Sequence, residues 1–131
     1  KMIIKDSHNN LLGIKLLKGE VVDKKYFATE NSNEMQLASF NLEKGEEIIR
    51  HHHPNQERNI KMTSEVIVVL KGEIKVDLYD LELNHHSSHI IRDGEVIALF
   101  SGGHGITITE NTEFIEVKQG PYDPDTDKEH F

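Results

Sequence analysis

The chain has 131 residues, enough for one domain around one core. Fifteen Lys and Arg against 23 Asp and Glu give a net charge of −8. That balance argues against duplex nucleic acid, whose binding rewards basic residues, and against an anionic membrane face. No cysteine is present, so disulfides, thiolate zinc sites and cysteine nucleophiles are excluded.

Helical periodicity never persists beyond about two turns; short apolar runs broken by turn residues recur instead. Residues 2–5 and 11–17 are predicted strands around Asn9-Asn10. Residues 24–34 are polar and read as a loop. Residues 36–42 alternate, with Ala38, Phe40 and Leu42 on one face, before a turn at Lys44-Gly45. Residues 47–53 read as extended and stop at Pro54, which has no N–H for a sheet ladder. A polar loop over 55–64 precedes a β-branched strand over 65–70, and Lys71-Gly72 turns the chain into a strand over 73–79. His85, His86 and His89, with Ser87-Ser88, read as a hairpin connection at the surface. Strands over 89–92, 96–100, 105–109 and 114–118 follow, with Asp93-Gly94 turning the chain between the first two.

Many short strands with glycine-centred turns predict a single all-β domain over 1–131, a sandwich or barrel. Residues 120–131 form an acidic, proline-containing tail. The predicted core is Ala38, Phe40, Ile67, Val69, Val96, Ala98 and Phe114. The longest apolar runs, 66–70 and 96–100, have five residues each, against roughly 20 for a bilayer span. Met2-Ile3-Ile4 is too short an apolar stretch for a signal peptide, and the expected location is cytoplasmic.

Nine histidines are present, three of them consecutive at 51–53. In a strand, residues i and i+2 share a face, so His51 and His53 point one way and His52 the other. Two imidazoles so placed can clamp one metal ion; three solvated histidines at a strand end is the plainer alternative. The wider pattern is Gly45, five residues, His51, one residue, His53; then Glu65, six residues, Gly72; then Gly94 opening a run that ends at His104. This arrangement resembles the two signatures of the cupin superfamily, over roughly residues 36–118.

The resemblance implies a cupin-like antiparallel β-barrel, the double-stranded β-helix or jelly roll. It further implies one divalent transition metal held by His51, His53, Glu65 and His104, with one or two positions open to water or substrate. Three imidazoles and a carboxylate, without sulfur, suit Fe, Mn, Ni, Co or Zn. The chain departs from the pattern in places. Eleven residues separate His53 from Glu65, more than the superfamily's usual spacing, and Phe100, Gly105 and Ile108 stand where it often has Pro, His and Asn. Glu57 competes with Glu65 as the carboxylate because it fits the shorter spacing. Glu65 is favoured because it opens a strand, whereas Pro54 and Asn55 break the extended run before Glu57, and a ligand needs rigid support.

The function so implied is that of a metal-dependent enzyme on a small oxygen-rich substrate, a sugar or sugar acid, with isomerase, epimerase, lyase or oxygenase chemistry. The alternatives are a non-catalytic small-molecule-binding cupin with a sensing metal, and a metal that only staples the fold. Glu57 is the nominee for a general acid–base partner. Arg58 is placed to clamp an anionic group, or is a solvated loop residue. Tyr122 folds over the barrel mouth to meet substrate, or plugs an exposed sheet. The expected partners are a small molecule and a second copy of the chain, with residues 11–17 supplying a sheet edge.

Overall fold

The alternating and β-branched runs form ten strands in the computed structural model, which describes residues 1–131 and contains no helix. They are β1 (Met2–Lys5), β2 (Leu11–Leu16), β3 (Lys25–Phe27), β4 (Ala38–Phe40), β5 (Glu65–Lys71), β6 (Glu73–Tyr79), β7 (His85–Arg92), β8 (Val96–Leu99), β9 (Gly103–Ile108) and β10 (Glu113–Lys118). All pairings are antiparallel. A five-stranded sheet runs β1-β2-β8-β5-β10, a three-stranded sheet runs β7-β6-β9, and β3 pairs with β4; none closes into a barrel.

Register decides what faces inward. Ile67 and Val69 of β5 share a face with Ile97 and Leu99 of β8. Ile74, Val76 and Leu78 meet them from β6, joined by Ile91, Leu12 and Ile4. The two larger sheets therefore pack face to face around a dry aliphatic core, where each fully buried side chain contributes about 1.5–3 kcal/mol. Leu12 reaches this core through a bulge. Ile4 pairs with Gly13 and Lys5 with Leu11, which leaves Leu12 unpaired between them and turns it inward. Ile14 and Leu16 of the same strand face the other way.

The second face of the five-stranded sheet is also covered. Ile14, Leu16, Ala28, Ala98 and Phe100 cluster there, with Tyr26, Met35 and Leu37 from the β3–β4 region packed over them. β8 is thus buried on both faces, which is why residues 96–100 are apolar without alternation.

Several expectations change. Val96 and Ala98 belong to this outer cluster and not to the space between the sheets. Phe40 and Phe114 are exposed, because β4 and β10 are edge strands. The polar stretch 24–34 contains β3, and the expected connection at 85–88 is part of β7, where Ser87 and Ser88 pair with Leu78 and Asp77. β2 is flanked by β1 and β8, so the free edge on that side is β1. Residues 47–53 join no sheet; the whole of 41–64 lies outside the strands. No helix is long and apolar enough to cross a membrane.

Candidate functional site

Glu65 opens β5 on the face that carries Ile67 and Val69, and it pairs with Leu99 of β8. His104 is the second residue of β9 and pairs with Leu78, an inward residue of β6. The two side chains therefore approach from opposite sheets. His104 Nε2 lies 2.9 Å from Glu65 Oε2. That oxygen is buried and has no other polar partner. The His104 ring beside it holds the Glu65 carboxyl below the usual carboxylate range; burial pushes the other way, and Lys118 adds to the lowering.

The turn into β9 depends on glycine. Gly102 has φ +73°, and a side chain there would run into the Tyr79 carbonyl. Gly103 leaves room for the ring of Phe131, which a Cβ would approach to 2.6 Å. The resulting cavity of about 590 Å³ is lined by Glu65, Tyr79, Leu83, Thr63 and the 102–105 turn on one side, and by residues 127–131 of the tail on the other.

Lys118 is the cross-strand partner of Glu65. Its Nζ lies 4.0 Å from Glu65 Oε1 and 3.1 Å from Asp127 Oδ2, with the Tyr122 ring centroid at 4.9 Å. The hydrogen bond to Asp127 holds the Lys118 ammonium above the ordinary lysine range, against burial. Tyr122 thus covers Lys118 rather than the cavity, and its own ring is largely exposed.

His51 and His53 stand elsewhere. Their rings lie edge to face, 5.2 Å between centroids, as side chains two residues apart in extended backbone should. His51 Nδ1 is 2.8 Å from the Ile49 carbonyl oxygen. Residues 41–59 are exposed throughout. Glu57 and Arg58 belong to this stretch, and Arg58 reaches only Gln56, at 3.4 Å. The structure therefore brings together Glu65 with His104, and separately His51 with His53. No three histidine or acidic side chains meet at metal-holding distance.

Two of the three histidines on β7, His85 and His89, find partners within their sheet. Ser88 donates to Asp77, His85 Nε2 lies 3.0 Å from Ser88 Oγ, and His89 Nε2 is 2.8 Å from Ser87 Oγ. Residues that the sequence did not single out are Lys118, Asp127, Tyr79 and Phe131. Lys118 shares a strand face with Phe114 and Glu116, but that alternation says nothing about Glu65 until β10 is known to pair with β5. Comparison with known protein families, with curated proteins and with solved structures finds no match to the chain.

Proposed function

We propose that the chain is a metal-binding, cupin-like jelly-roll protein that acts on a small oxygen-rich substrate, a sugar or sugar acid, by isomerase, epimerase, lyase or oxygenase chemistry. One observation carries the reading. A carboxylate and an imidazole meet across the sandwich beside a cavity, 2.9 Å apart, and the buried carboxylate oxygen has no partner besides that imidazole. A divalent cation is the partner that an imidazole nitrogen and a carboxylate oxygen take together.

His51 and His53 would complete the donor set. Their rings are already side by side, and β9, which carries His104, has one edge unpaired. Residues 47–53 laid along that edge would bring both imidazoles to the cavity together with Ile49, which shares their face and now lies in solvent. The set of three imidazoles and one carboxylate suits Fe, Mn, Ni, Co or Zn. When bound, such an ion supplies Lewis-acid polarisation of a substrate oxygen. Glu57 and Arg58 travel with the same segment, so its closure would deliver a proton-transferring carboxylate and an anion-binding guanidinium together. A cytoplasmic homodimer, paired through a free sheet edge such as β1, accompanies this reading.

Metal analysis of the purified protein tests it. One transition-metal ion per chain is expected. Glu65→Gln and His104→Ala should each lose the ion, and the His51→Ala/His53→Ala pair should bind it at least about tenfold more weakly. Full metal content in all three variants would overturn the proposal. Saturable sugar-acid binding with no product on long incubation would leave the metal centre standing and move the protein to the non-catalytic alternative.

A further inference from the structure

Metal binding gives no role to the tail, yet the tail is held in place. After Tyr122 it turns back, with the Thr126 and Asp127 N–H groups both donating to the Asp123 carbonyl, at 3.2 and 3.0 Å. It then forms one wall of the Glu65–His104 cavity. Two side chains fasten it there. Asp127 accepts a hydrogen bond from Lys118 at 3.1 Å, with the two side chains only 11% and 19% exposed. Phe131 lies edge to face on Tyr79, 4.9 Å between centroids, in the space that Gly103 leaves open.

The charges around Lys118 do not balance. One ammonium faces two carboxylates, Asp127 at 3.1 Å and Glu65 at 4.0 Å. Glu65 is built into a central region of the sheet and cannot leave. Asp127 arrives on a strap whose other fastenings here are two aromatic contacts, Tyr122 over Lys118 and Phe131 on Tyr79. Asp127 lines the cavity and Lys118 does not. We infer that Lys118 is an anion anchor uncovered when Asp127 moves aside, that its ligand is the carboxylate of a small organic acid, and that Asp127 occupies the anchor until that ligand displaces it.

The surroundings fit such a ligand. An ammonium is a compact charge with three donors, suited to a single carboxylate. The backbone at Gly105 is open, since a Cβ there would meet nothing within 4 Å, so a ligand can lie close to the chain. Tyr79 offers flat apolar surface to its carbon skeleton once Phe131 leaves it. The inference deepens the proposed function by naming the charged group of the substrate, and it rests on that reading only in taking this cavity as the site. It requires no metal ion.

Calorimetric titration of the metal-stripped 131-residue chain with malonate tests it. If the strap is closed about nine-tenths of the time, it masks about tenfold in affinity. Asp127→Ala should therefore bind malonate about tenfold more tightly than the wild type, and Lys118→Met in the same background should abolish the gain. Phe131→Ala, which loosens the strap and leaves Lys118 and Asp127 in place, should give a smaller gain of the same sign; it decides the matter if Lys118→Met fails to fold. Equal malonate affinity in wild type and Asp127→Ala, no gain in Phe131→Ala, or a gain that survives Lys118→Met would each overturn the inference. Metal content is read on unstripped protein, so either reading can fail while the other stands.

Discussion

The sandwich and the 41–64 arm hold their histidines by different means. His104 is held by the β9–β6 ladder, and its approach to Glu65 follows from register on two packed sheets. His51 and His53 lie in a stretch fastened only at its ends. At one end Lys24 pairs with Glu46, and the Asn41 N–H donates to the Lys24 carbonyl. At the other, the Glu34 carboxylate accepts the Lys61 and Met62 N–H groups at 3.2 and 3.0 Å. Between them Ile48 and Ile49 are 61% and 82% exposed. A segment with so few buried contacts opens at little cost. A site divided in this way couples ligand binding to local ordering: the rigid half sets the position, and the tethered half supplies the closure.

The difference breaks most plainly in the core. Ile67→Ala should destabilise the fold by about 2–5 kcal/mol, through lost burial and a cavity between the sheets. Ile49→Ala should fall within about 0.5 kcal/mol of wild type. Urea denaturation of both variants checks this, and comparable losses would mean that the arm is packed after all. Metal sharpens the comparison next. Zinc at about 100 times its dissociation constant should raise wild-type stability by about 2.7 kcal/mol. The His51→Ala/His53→Ala pair should lose at least about half of that increment and keep the metal-free stability, because neither ring packs on the sandwich. His104→Ala should lower the metal-free value too, since Glu65 loses its neighbouring imidazole.

Limited proteolysis gives a smaller and more local signal. Trypsin should cut first after Arg50 and Arg58, both in the exposed stretch, and the metal ion should slow those cuts several-fold. Cleavage after Lys15 in β2 or Lys75 in β6 at a similar rate would show that the two regions do not differ in local stability.

The elements whose stability is local in origin were the legible ones. β5, β6, β8 and β10 are continuous β-branched or alternating runs, and the period of two put Glu65 on the face of Ile67 and Val69 before any pairing was known. β3 was not legible, because Lys25–Phe27 is only three residues within a mostly polar stretch and exists through its ladder to β4 and the cover it gives Ile14 and Leu16. The start of β7 was missed for the same reason: His85–Ser88 carries no apolar face, and its register comes from β6. Residues 47–53 have the composition of a strand and no partner in the structure, and composition alone cannot supply a partner. The Lys118–Asp127 contact and the seat of Phe131 on Tyr79 depend on where the tail returns, which no local pattern encodes.

The smallest effect separates the two groups of histidines by pH. His89 faces the space between the sheets, opposite Val76. Burial lowers its pKa from the ordinary 6.5, and the positive charges of Lys15 and His86 lower it further. Lys15 is held close by, donating to the Ile90 carbonyl at 2.6 Å and lying 3.7 Å from Glu95. A depressed histidine pKa means that the unfolded chain takes up a proton which the folded chain refuses. Above about pH 6.5 neither state is protonated at this site and it contributes nothing. As pH falls below that value, the unfolded state gains protons first and stability declines. Urea midpoints should therefore fall between about pH 7.5 and about pH 5.5, and His89→Gln should flatten part of that slope. An unchanged slope in the variant would place the pH dependence outside the sandwich interior, with the arm and its exposed imidazoles as the next place to look.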